Sequence, residues 1–281
     1  RAVGVSERRA TADRKVRGRG NRGFAKTDGA LVAPHGILPF NTDGGGLCNN
    51  HPSNRGGITK VIEAVRHKVD LPNYGVFDEK RVFATGPLPG PVVIKGVRIG
   101  LPICEDIWQP DVVECLTETG AEILLVPNGS PYWRDKTDTR LNIAVARVKE
   151  SGLPLVYLNQ IGGQDELVFD GASFVLNDDC SLAAQLPAMQ EVVALTVWER
   201  NGAWRCVEAE RAIISEGDEA DYEACVLGLR DYVDKNRFPG VVMGLSGGVD
   251  SALCAALAAA LLVAPAAAPD AWSEPKAKKA K

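Results

Sequence analysis

Three short runs of apolar, mostly branched residues, Val97 to Ile103, Ile123 to Val126 and Leu153 to Leu158, restrict the fold of this chain more than any other feature. Each is bounded by Gly or Pro, as expected for strands buried on both faces. Between the last two, Asp138 or Thr139 can cap a helix whose Leu141, Val145 and Val148 recur on one face, with Gly152 placed to end it. Ala172 to Leu176, a turn at Asn177-Asp178-Asp179, and Glu191 to Trp198 continue the sheet. The order describes a mixed-sheet α/β domain.

The 281 residues, 45% of them hydrophobic, allow one large or two modest domains with a real core. Ala252 to Ala268 is alanine-dominated and broken by Pro265, so no bilayer span is expected, and no secretory signal is read at the N-terminus. Seven cysteines without CxxC or Cys/His metal spacing point to reduced thiols, a cytoplasmic setting and no metal site. The net charge of -4 hides a division: residues 1–60 hold 11 Lys/Arg against 4 Asp/Glu, leaving -11 on the remainder. The basic piece has no aromatic interleaving, so it reads as a solvated segment and not as a nucleic-acid surface.

Residues 1–60 carry 11 glycines and no sustained hydrophobic period, and are expected to be disordered or aberrant. Residues 61–200 form the α/β domain and 201–217 a linker. A second domain starts over 218–262, opening on an amphipathic helix from Asp218 in which Tyr222, Cys225, Leu229 and Val233 share a face. Pro239-Gly240 ends that helix, Val241 to Leu245 reads as a strand, and Ser246-Gly247-Gly248 turns into a helix near Val249. The Ala/Pro/Lys-rich residues 263–281 are expected to be disordered.

Gly100-Leu101-Pro102-Ile103-Cys104-Glu105-Asp106-Ile107-Trp108 sets a cysteine at the end of an apolar strand, directly before two carboxylates. Cysteine in such a position is commonly core filler. The segment resembles the nucleophile segment of the nitrilase, or carbon-nitrogen hydrolase, superfamily, in particular the amidase domain of glutamine-dependent NAD synthetases. Lys68-Val69-Asp70-Leu71-Pro72-Asn73-Tyr74 and Phe77-Asp78-Glu79-Lys80-Arg81 are similar to that family's lysine segment, and Asn128-Gly129-Ser130-Pro131-Tyr132 to its glutamine-holding loop. Gly162 to Ser173 also resembles the family. The resemblance implies an α-β-β-α sandwich, incomplete at its N-terminus. In it Cys104 attacks glutamine, Lys68 stabilises the developing charge and eases ionisation of the thiol, and Tyr74, Ser130 and Lys136 grip the substrate. The family's general-base glutamate precedes the lysine by several dozen residues, and neither Glu7 nor Glu63 stands in a matching motif.

Gly244-Leu245-Ser246-Gly247-Gly248-Val249-Asp250-Ser251 follows an apolar run and opens a helix, so its backbone N–H groups can cradle a phosphate. It resembles the SGGxDS loop of ATP pyrophosphatases, the first strand-loop-helix of a doubly wound domain. Together the two resemblances imply glutamine, ATP and deamido-NAD as substrates, with Mg2+ beside ATP, no prosthetic group, and a homo-oligomeric intact enzyme. Two other readings stay open: a free-standing nitrilase-family amidase, or a non-catalytic remnant whose ends reflect changes of reading frame. Residues 255–281, with 12 alanines and no further apolar strand, imply that the chain as it stands does not make NAD, and the missing general-base glutamate implies that its glutaminase turnover is weak or absent.

Overall fold

Strong β-branched runs and short helical periods produce alternating elements. The computed structural model describes residues 64–261 and, as backbone strands, three earlier segments. Those are β1 (Ala2–Ser6), β2 (Cys48–Pro52) and β3 (Ile58–Ile62). They are followed by β4 (Val92–Ile94), β5 (Val97–Gly100), α1 (Asp111–Glu118), β6 (Ile123–Asn128), α2 (Lys136–Ser151) and β7 (Leu155–Asn159). Next come β8 (Ile161–Gln164), β9 (Leu167–Asp170), β10 (Phe174–Leu176), β11 (Leu182–Gln185), β12 (Val193–Asn201), β13 (Ala203–Glu208), α3 (Gly217–Asn236) and α4 (Val249–Ala260). Glu7, Glu63 and residues 263–281 lie outside the described residues.

The main sheet has the order β11-β10-β7-β6-β5-β4, with β5, β6 and β7 parallel and the outer pairs antiparallel. Alternation along the strands builds two cores. Leu124, Val126, Leu155, Tyr157, Phe174 and Leu176 face α1 and α2, whereas Ile123, Val156, Leu158 and Val175 face Trp198 and Cys206 of the β12-β13 sheet. Among the described residues the layers are therefore helix, sheet and second sheet, as in a nitrilase-like sandwich.

Several details differ from the sequence reading. Val193–Asn201 does not continue the main sheet but pairs with β13 in the second one, and β13 itself occupies part of the stretch expected to be a linker. Helix α2 starts at Lys136, ahead of Asp138, because Asp135 adopts a left-handed conformation (φ 65°) that turns the chain into it. Gly152 ends it at φ 66°, as its position implied. In α3, Tyr222 and Cys225 are exposed, and the buried stripe is Ala220, Ala224, Leu227 and Asp231. Small residues win that face because α3 lies close on β8: a Cβ on Gly163 would meet Gly228 Cα at 3.0 Å. Asp231 also accepts the Gly163 N–H at 2.8 Å, which fixes the face. Val241 to Leu245 forms no strand; no other strand among the described residues lies beside it to supply a ladder, and a lone strand leaves its backbone groups unpaired.

Candidate active site

The parallel strands β5, β6 and β7 end at one edge of the sheet, where Asp106, Asn128, Ser130 and Asn159 are buried at or just beyond the strand ends. The loop after β5 delivers Cys104, at φ 50° the first residue of a 3-10 turn, Cys104–Ile107. A left-handed non-glycine residue is strained by about 1–3 kcal/mol, and such strain concentrates where a side chain must be presented. The turn is held from within: Asp106, fully buried, accepts the Ile103 N–H at 2.8 Å.

Lys68 is almost fully buried and donates to both oxygens of Glu79, at 2.9 and 2.8 Å. Its charge also acts on Cys104. Tyr74 donates its hydroxyl to Glu105, at 2.9 and 3.0 Å to the two oxygens, which brings the lysine segment over the residue next to Cys104. From the β6 loop, the Gly129 N–H favours the ionised form of the Cys104 thiol. Ser130 N–H donates to Asn159 at 3.0 Å, and Ser130 Oγ accepts from Arg140 at 3.2 Å. Lys136 Nζ sits 3.3 Å from the centre of the Trp133 ring, a cation–π contact, and its charge is felt by Cys104 and Glu105.

The electrostatics correct one expectation. Cys104 does not ionise more readily than an ordinary cysteine: removal of the thiol from bulk water pushes its pKa up, outweighing Lys68 and the Gly129 N–H, which pull it down. Burial likewise lowers the Lys136 ammonium to about 8, with Arg140 adding to the effect.

Four residues that the sequence reading passed over complete the cluster. Glu79 pairs with Lys68. Asp170 takes a bidentate pair from Arg140, at 2.7 and 2.8 Å, and all four atoms are buried. Arg140 also donates to the Ser130 carbonyl, so the pair holds the 128–131 loop. Arg140 lies one helical turn after Lys136, a spacing that placed both on one face of α2. Asn159 donates to the Ser130 carbonyl at 3.1 Å.

The loop from Gly244 to Ser251 stands apart. Its residues are largely exposed, Gly247 has φ 83°, Ser246 and Ser251 hydroxyls lie 3.1 Å apart, and Ser251 donates to the Gly248 carbonyl at 2.9 Å. Gly248 caps α4, which buries no side chain among the described residues. No group of three or more His, Cys, Asp or Glu able to hold a metal occurs among the described residues.

The sequence pattern of carbon-nitrogen hydrolases matches residues 49–205, that of NAD synthase residues 221–277, and that of a thiolase C-terminal domain-like family residues 11–68. A glutamine-dependent NAD(+) synthetase of Rhodobacter capsulatus is 53% identical over 195 residues, covering 69% of this chain and 35% of the relative. One from Acinetobacter baylyi is 39% identical over 206 residues, covering 72% and 38%. Among solved structures, the glutamine-dependent NAD+ synthetase of Acinetobacter baumannii in complex with ADP superposes with a TM-score of 0.67 at 37% identity, over 75% of this chain and 42% of that one. The chain thus spans little more than a third of the length of the curated relatives it matches.

Proposed function

We propose, from the premise that this chain belongs to the carbon-nitrogen hydrolase family, that it is the glutamine-hydrolysing part of a glutamine-dependent NAD synthase, working in a cytoplasmic setting. The observation that carries the reading is the hydrogen bond from Tyr74 to Glu105, which brings the segment of the buried Lys68 against the residue next to Cys104. Cys104 sulfur attacks the side-chain carboxamide carbon of glutamine. The C–N bond breaks, the thiol proton departs with the amine as ammonia, and a thioester remains that water cleaves to glutamate. Lys68 and Gly129 N–H face the charge that develops at the reacting centre, the term that dominates acyl transfer. Tyr74, Ser130 and Lys136 hold the substrate, with Lys136 supplying a cation to its carboxylate. Arg140 and Asp170 keep the Ser130 loop rigid.

In the complete enzyme the ammonia displaces AMP from an adenylated nicotinate carboxylate of deamido-NAD. The match of residues 221–277 to NAD synthase favours this over a free-standing amidase. Residues Gly244, Leu245, Ser246, Gly247, Gly248, Val249, Asp250 and Ser251 fit a phosphate through backbone N–H groups and two hydroxyls. Asp250, the sole carboxylate of that loop, would supply one oxygen to a magnesium ion whose other ligands are phosphate oxygens and water, and the ion would neutralise charge on the phosphates.

The test is a single-turnover mixing of the folded chain with glutamine, with ammonia and a mass increase on Cys104 measured together. About one ammonia per chain and a Cys104 thioester are expected, both abolished in Cys104→Ala. Absence of both from the native chain removes the reading.

A further inference from the structure

The Asp106 carboxylate is used by no step above, yet it is fully buried and fully engaged. Oδ1 accepts the N–H groups of Val69 at 3.0 Å and Asp70 at 2.8 Å, and Oδ2 accepts the Ile103 N–H at 2.8 Å. The first two are the residues directly after Lys68, and the third is the residue directly before Cys104. These segments are 36 residues apart in sequence, and one side chain joins them. We propose that Asp106 is a positioning residue that sets Lys68 against Cys104, by clamping the backbone of the lysine segment to the nucleophile turn.

Ionised carboxylate suits this role because it presents only acceptors to three donors. An amide in its place offers one oxygen and an NH2 group, so at least one N–H would face another donor. The buried amide hydrogen bonds then reorganise, and Lys68 shifts with them. Two charged groups feel the carboxylate: Arg66, whose guanidinium it stabilises, and Asp70, whose charge opposes it. Neither bonds its oxygens with a side chain, so the clamp is made of backbone N–H groups. The proposal rests on the reading that Lys68 serves Cys104, and its test separates the two.

The experiment measures the rate of Cys104 alkylation by iodoacetamide against pH, by peptide mass spectrometry, in the full chain, Asp106→Asn, Lys68→Met/Glu79→Leu, and the triple variant. Cys115 provides a reference in the same molecules, since Asp106 makes no bond to it. With Lys68 in place, Asp106→Asn is expected to raise the midpoint of the Cys104 profile and slow labelling at pH 8 about tenfold, the size of one unit of thiol ionisation. Cys115 labelling stays unchanged. In the lysine-free background the same substitution changes nothing further, whereas general loosening of the fold would act in both backgrounds. If the lysine-free variant shifts Cys104 and Asp106→Asn does not, the clamp is overturned and the active-site reading stands. If the lysine-free variant leaves the profile unchanged, both fall. Should Asp106→Asn not fold, Asp106→Glu keeps the charge while displacing the acceptors. It is expected to shift the profile in the same direction, and an unchanged profile overturns the proposal.

Discussion

Lys68 and Glu79, eleven residues apart, form an ion pair in which one ammonium meets both carboxylate oxygens with both side chains almost fully buried. Such a pair costs desolvation that only close geometry offsets, and losing one member leaves a buried charge without a partner. Glu79→Leu is therefore expected to lower stability by about 3–5 kcal/mol, whereas Lys68→Met/Glu79→Leu recovers most of it. Urea unfolding of the single and double variants checks this, and a double variant no more stable than the single would contradict it.

Burial holds the Cys104 thiol above the usual cysteine range. Its labelling by iodoacetamide should keep rising beyond pH 9 instead of levelling off below pH 8 as at an activated thiol. A plateau below pH 8 would mean that Lys68 outweighs desolvation after all.

Lys136 supplies a second pH dependence. Its folded pKa of about 8 lies below the ordinary 10.5, so the folded protein holds this proton less tightly than the unfolded chain. Its contribution to stability is complete above about pH 10.5 and is lost as pH falls through about 8. Lys136→Met should accordingly not lower the unfolding temperature at pH 7. The substrate role runs the other way: as Lys136 loses its charge above about pH 8, the half-saturating concentration of a glutamine analogue should climb roughly tenfold per unit. In Lys136→Met that concentration should be high and flat, and a native profile flat to pH 9 would remove Lys136 from the substrate contacts.

Close approach of α3 to β8 gives a prediction about the fold. Gly163→Ala places a methyl 3.0 Å from Gly228 Cα and 3.1 Å from Asp231 Cβ, closer than packed atoms sit. Overpacking of this kind costs about 1–3 kcal/mol. Faster hydrogen exchange in α3, with α2 unaffected, is the expected result. Uniform exchange across both helices would show that the contact does not govern α3.

The strands nearest the site were legible because they are apolar throughout. β5, β6 and β7 fall inside the runs at Val97, Ile123 and Leu153, apart from Pro127, Asn128 and Asn159 at strand ends. Shorter elements were not: β11, Leu182–Gln185, has no alternation to detect, and the β8-β9 hairpin reads as a polar turn until its partner strand is known. Cys104, Lys68 and Lys136 stood out through motifs. Glu79, Asp106 and Asp170 lay inside the same motifs, but their roles come from partners far along the chain, which spacing does not reveal. The α3 face was misread because hydrophobicity favoured Tyr222 and Cys225, while the fit against Gly163 favours alanine and glycine. The lowered-thiol expectation failed for a related reason: an adjacent lysine is visible in sequence, and desolvation is not.

The central claim is that Cys104 is the nucleophile of a glutamine site. Its most direct test is covalent trapping with a diazoketone analogue of glutamine, followed by peptide mapping of all seven cysteines. One adduct per chain is expected, on Cys104, slowed by excess glutamine and lost in Cys104→Ala. Labelling of Cys115 or Cys180 with Cys104 unmodified, or labelling of Cys104 that glutamine does not slow, would contradict the account.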